Sequence, residues 1–317
     1  MAEPKLVLAF REPDIDTQRP FLEGKITVEG FELETRKFSG PDSCDAWDAS
    51  FGGLMQTAGR GEFPYVSIPA FPNRKFRHQY CYVNVASGIN APRDLAGKRV
   101  YVSSTAGIWA RGALLNYYEV DFTQIRWVMT SGGEGGGAQS WGPGIQVEAL
   151  PRGADIDGML LSGELDCVIE PNVLPSVSRR DPRVRRLFPD FRSEEQKYFQ
   201  ATGIFPISHM VSLNKAFVAQ HPNAPIALLR AYRQARDIAL DSVGGPDGPL
   251  YVTLPWAVAA QNEALEVMGD RYYAYNVVDN TRPLEAMMLF SHQFGITPTR
   301  LDYRQFVDDE AAAYTGW

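Results

Sequence analysis

Short apolar runs alternate with amphipathic stretches along the chain, and that rhythm predicts an α/β protein. Residues 5–10 (KLVLAF) read as a buried strand, and 25–38 as two extended pieces broken by Gly30. Residues 44–57 begin polar and turn apolar at helical spacing. Residues 65–71 and 79–85 read as further strands. In INAPRDLAGKRVYVSS, Pro92-Arg93-Asp94-Leu95 suits one helical turn, Gly97 a tight turn and 99–102 a strand. A helix is expected over 105–118, with Ser103, Ser104 or Thr105 as its N-cap and Ile108, Leu114 and Leu115 as apolar positions. A strand at 125–129 completes a βαβ unit, which implies a small parallel sheet.

Beyond it, 156–163 reads as a short helix and 165–169 as a buried strand ending at Glu170-Pro171-Asn172. Residues 180–200 read as polar and helical, and 202–213 as extended. A long amphipathic helix spans 223–243, GGPDGP breaks it at 244–249, and two more helices follow near 256–268 and 281–294. The stretch SGGEGGGAQSWGPG (131–144) holds seven glycines in fourteen residues. It lacks the lysine of a phosphate loop and the spacing of a dinucleotide fingerprint, so it reads as a flap or linker over a cleft.

Composition narrows the function classes. With 317 residues, 44% apolar and 22% charged, the chain fits one large or two medium globular domains. A net charge of −7 argues against nucleic acid or an anionic membrane as the main partner, so any anion site must be local. The apolar run at 6–10 is shorter than the roughly 7–15 residues of a secretory core, and no run approaches a membrane span. Cys44, Cys81 and Cys167 are widely spaced and odd in number, which fits reduced thiols in a cytoplasm. The four histidines show no HxH or HExxH spacing, so no metal site is expected.

Two segments, DLAGKRVYV (94–102) and LLSGELDCVIEP (160–171), resemble the type 2 periplasmic-binding-protein fold, in which two α/β lobes clamp a small ligand. FPNRKFRHQYCYV (71–83), 185–213 and 254–277 resemble the 4,5-dihydroxyphthalate decarboxylases, as do Arg19-Pro20 and SHQFG near the end. The resemblance implies a first lobe from 1–86 and 205–317, a second from 87–204, and a ligand cleft between them. It also implies decarboxylation of a hydroxylated aromatic dicarboxylate, most simply 4,5-dihydroxyphthalate to protocatechuate. No cofactor is required, because the ring hydroxyls supply the electrons. A small aromatic carboxylate is the expected partner, a homo-oligomer the expected assembly and the cytoplasm the expected location. The alternatives are a leaderless solute-binding protein without catalysis, and an enzyme of another reaction type on the same fold.

Such a cleft needs cations, hydroxyls and a proton carrier. Ser103, Ser104 and Thr105 precede a helix whose first N–H groups suit a carboxylate, and Trp109 and Arg111 lie in its first turns. Arg19 and Arg77 are the expected guanidinium grips from the other lobe, and Asn172 is a further polar contact. Arg74 and Lys75 read as solvated turn residues, whereas His78, entering a strand at the cleft, reads as catalytic. His209 follows a buried-looking IFPI segment and is either a core histidine or a second acid–base group. Glu170 either accepts a catechol hydroxyl or is a structural carboxylate at the hinge side. His221 and His292 read as structural.

Overall fold

A computed structural model describes residues 3–131, 141, 144–248 and 252–315. The glycine-rich flap expected at 131–144 lies almost wholly outside these described residues. Two mixed sheets organise the rest, as the two-lobed expectation requires. The first contains β1 (Lys5–Phe10), β2 (Glu32–Lys37), β3 (Ala46–Ser50), β4 (Tyr65–Ser67) and β11 (His209–Asn214), in the order β2-β1-β3-β11-β4. The second contains β5 (Cys81–Asn84), β6 (Arg99–Val102), β7 (Arg126–Thr130), β8 (Gln146–Leu150), β9 (Cys167–Ile169) and β10 (Val184–Arg186), in the order β10-β5-β9-β6-β7-β8.

β6 and β7 are the parallel pair of the βαβ unit predicted from the pattern; β9 and β8 lengthen it to a parallel run β9-β6-β7-β8, and β5 and β10 extend it antiparallel. β5 is hydrogen-bonded to both β9 and β10 inside this second sheet. One difference from expectation concerns residues 44–57. Their first half is β3, buried at all five positions, and only Phe51–Gly59 is helical, with the Ser50 hydroxyl accepting from the Gly53 N–H. Polar residues 180–200 likewise split into β10 and a helix at Phe191–Thr202.

One continuous apolar core joins the lobes. The helix Ser104–Asn116 rises from β6 and is buried from Thr105 to Leu114. Three of its hydrogen bonds to the first lobe lie in its N-terminal half. The Trp109 indole N–H donates to the Ile207 carbonyl at 2.6 Å, the Thr105 hydroxyl bonds that of Ser50 at 2.9 Å, and it accepts from the Gly52 N–H at 3.0 Å. Glycine permits this approach, since a Cβ on Gly52 would lie 2.7 Å from the Thr105 hydroxyl. On its other side Gly112 fits under the Phe290 ring of the helix Thr281–Gln293. Each large apolar side chain at this seam contributes about 1.5–3 kcal/mol by burial, so the two lobes are held as one packed body.

Candidate active site

The cleft between the lobes has a volume of about 310 Å³. Strand ends and loops of the first lobe supply Arg11, Glu12, Ser50, Asn73, Lys75, Arg77, Ser208 and His209, while the second supplies Ser104, Thr105, Ala106, Pro171 and Asn172. Its walls are thus chiefly polar. Arg11, Lys75 and Arg77 oppose one lining carboxylate, Glu12, and this concentrates positive potential on a chain whose net charge is −7.

β3 and β11 pair antiparallel with His209 opposite Ser50 and Val211 opposite Asp48. Alternation puts Asp48, Ser50 and His209 on one face of the sheet, and the diagonal pair meets: His209 Nδ1 lies 2.9 Å from Asp48 Oδ2. Asp48 is completely buried, and its other oxygen accepts from the Arg11 N–H at 2.6 Å. A carboxylate in that position fixes the ring so that Nδ1 carries the proton toward Asp48, leaving Nε2 as the nitrogen for cleft chemistry.

The neighbouring loop is tied to the same point. The Asn73 carbonyl accepts from the backbone N–H groups of Ser208 at 2.8 Å and His209 at 3.3 Å, and the Asn73 amide donates to Glu12 Oε2 at 2.7 Å. Arg77 is buried and donates through Nη2 to the Ser208 hydroxyl. Burial draws its guanidinium down to about 10, which leaves it a cation at neutral pH. Across the cleft, Ser104 holds the left-handed φ of 54° at the start of its helix, a conformation costing of order 1–3 kcal/mol in a residue with a side chain. The first turn of that helix presents its positive end to the cleft.

Of the residues expected from sequence, the cleft therefore brings together Arg77, Ser104, Thr105, Asn172 and His209. The others lie elsewhere. His78 does not line the cleft; it is buried among the rings of Phe188, Tyr198 and Tyr118, at 5.0, 5.3 and 5.9 Å, and burial draws its imidazole down to about 4. Arg77 and His78 are adjacent residues, and the turn that aims one at the cleft aims the other into the interior. Arg19 is exposed at the start of the helix Arg19–Leu22 and borders a separate groove near the end of the helix Ala224–Gly244. Trp109 is a packing residue of the lobe seam. Arg111 is fully buried, its guanidinium 3.8 Å from the Trp141 ring centre and 4.4 Å from that of Phe294.

Ser103 and Glu170 pair with each other beside the cleft. The hydroxyl donates to Glu170 Oε2 at 3.0 Å, and burial raises the carboxyl above its ordinary range. Arg74, expected in water, is instead buried, donating to Asn280 at 2.7 Å and to the Phe205 carbonyl at 2.8 Å. Asp48, Glu12, Asn73, Ser50 and Arg11 went unseen in the sequence. No local motif marks them, because β3 is buried at every position and the loop partners are up to 61 residues apart. Among the described residues no cluster of three or more His, Cys, Asp or Glu suits a metal, and no helix is long and apolar enough to cross a membrane.

No protein-family profile matches the chain. Among curated proteins, it is 29% identical over 320 residues to a 4,5-dihydroxyphthalate decarboxylase of Comamonas testosteroni, covering 94% of each chain. It is 28% identical over 200 residues to another protein of that name from Pseudomonas putida, covering 58% of this chain and 77% of the relative. Among solved structures, the periplasmic aliphatic sulphonate binding protein of Escherichia coli superposes with a TM-score of 0.57 at 13% identity, covering 99% of this chain and 100% of that one. That likeness shows the periplasmic-binding-protein fold.

Proposed function

The chain belongs to the 4,5-dihydroxyphthalate decarboxylase family, and from that premise we propose that it removes one carboxylate from 4,5-dihydroxyphthalate without a cofactor. The observation that carries this reading is the buried Asp48–His209 pair opening on a cleft with three cations. A solute-binding protein for an anion needs the cations and the helix end. It has no use for an imidazole whose ring is locked by a buried carboxylate.

In this scheme the two substrate carboxylates are held by Arg77, Lys75 and the helix end at Ser104–Thr105, with Asn172 as a further polar contact. Arginine binds a carboxylate with two parallel hydrogen bonds, which sets the ring's orientation as well as its affinity. His209 then delivers a proton from Nε2 to the ring carbon that bears the departing carboxylate, and Asp48 stabilises the imidazolium before transfer. Positioned acid–base help of this kind typically contributes 10²–10⁴-fold. Holding the leaving carboxylate out of the ring plane adds to it by favouring the reactive conformer. Glu170 acts on this account by orienting Ser103 next to the helix end. Three free, buried cysteines support a reducing, cytoplasmic location.

The test is to incubate the purified protein with 4,5-dihydroxyphthalate without added metal and to follow CO₂ and protocatechuate. Stoichiometric product supports the proposal. Tight binding without product overturns it and leaves a binding protein.

A further inference from the structure

Loss of CO₂ from this ring requires two proton transfers at opposite edges. The hydroxyl para to the departing carboxylate must give up its proton so that its oxygen can push electrons into the ring. The carbon bearing the carboxylate must receive one. A single imidazole cannot reach both edges of a bound ring, so a second proton-handling group must line the same cleft.

Five ionisable side chains line it: Arg11, Glu12, Lys75, Arg77 and His209. Three of these are cations suited to binding carboxylates, which leaves Glu12 beside His209. A carboxylate is also the group least expected in a pocket made only for a dianion, because it repels the ligand's charges at close range. Phenolic hydroxyls reverse that sign, since an ionised carboxylate is an acceptor-only group. Glu12 is held for such a role. Asn73 donates to its Oε2 at 2.7 Å, and the same residue's carbonyl anchors the backbone of Ser208 and His209. One asparagine thus ties Glu12 to the backbone that carries the imidazole.

Resting on the decarboxylase reading, we propose that Glu12 is the second catalytic residue, the base that takes the ring hydroxyl proton. The O–H bond breaks toward the Glu12 carboxylate as the oxygen's electron pair enters the ring. The ring carbon forms a C–H bond with the proton from His209. The C–CO₂ bond then breaks, its pair restores the aromatic ring, and CO₂ leaves. Glu12 returns its proton to the phenolate oxygen, and His209 is reprotonated from water, so one proton is consumed per CO₂ released. Glu12 also sets specificity, because a ring without hydroxyls meets an unrelieved negative charge there.

The test compares wild type with Glu12→Gln. The substitution keeps the shape and an acceptor oxygen for the hydroxyl but cannot take a proton. Two readouts are required: turnover of 4,5-dihydroxyphthalate, and calorimetric binding of phthalate, which has no ring hydroxyl and is used as an unreactive probe. The expected result is a kcat about 10²-fold lower or more, with KM little changed and phthalate bound at least as tightly as before. Wild-type turnover in the variant overturns the assignment, and so does a parallel loss of kcat and phthalate binding, which would mark a structural role. If wild type itself binds phthalate yet never turns over 4,5-dihydroxyphthalate, the decarboxylase reading fails first and takes this inference with it.

Discussion

Acid should weaken this fold through His78, and the effect is large enough to isolate. Burial among Tyr118, Phe188 and Tyr198 draws the imidazole down to about 4, against 6.5 for a free one. The unfolded chain therefore binds a proton here that the folded chain refuses between those values. Above pH 6.5 the group costs nothing; below it, stability falls until the folded value is passed. The full shift corresponds to roughly 3 kcal/mol, of which about 2 kcal/mol has been lost by pH 5. Charged neighbours include Glu194, which favours the imidazolium, and Arg77 one residue away.

Glu195 acts with the opposite sign in the same pH range. Burial raises its carboxyl to about 7 despite a hydrogen bond from the Gln79 N–H, so its contribution is full at low pH and fades as pH rises through 7. Wild type should therefore show a flat profile that conceals both effects. His78→Phe removes one of them while keeping an aromatic ring in an aromatic box. Urea unfolding of both proteins at pH 5 and 7.5 supplies the assay. The variant's stability relative to wild type should rise by about 2 kcal/mol on going from pH 7.5 to pH 5. Any cost of the larger ring, of order 1–3 kcal/mol, shifts both ends equally. Parallel curves for the two proteins would mean that burial does not shift His78.

Two further outcomes are expected. Gly112→Ala should lower stability by about 1–3 kcal/mol in urea, because its Cβ would meet the buried Phe290 ring at 2.1 Å, and this outweighs the roughly 1 kcal/mol by which alanine favours a helix. Arg77→Lys keeps the charge but loses the planar fork, so phthalate affinity by calorimetry should fall about tenfold with the fold intact.

Much of the scaffold was legible because periodicity reports it directly. The strand and helix of 99–116 and the long helix Ala224–Gly244 carry clear patterns, and both fall within a residue or two of expectation. β3 carried no such pattern. Its five residues are buried on both faces, so Ala46-Trp47-Asp48-Ala49-Ser50 shows no alternation and merges with the helix behind it. With that strand hidden, Asp48 had no visible partner, and His209 stayed undecided between core and site. The placement of His78 away from the cleft has a different origin. A cluster of cations before a strand marks the cleft edge correctly, yet neighbouring residues point to opposite sides of a turn. Arg77 reaches Ser208 while His78 enters the interior. Glu12 and Asn73 meet only in the folded chain, and no local pattern announces a pair of loops.

On the proposed mechanism His209, backed by Asp48, is the histidine that moves the proton. Steady-state turnover of 4,5-dihydroxyphthalate by wild type, His209→Asn and His78→Phe at neutral pH separates the two histidines. His209→Asn should lose at least about 10²-fold in kcat while still binding phthalate, and His78→Phe should stay close to wild type. Full turnover by His209→Asn, or its loss in His78→Phe with the fold intact, would contradict it.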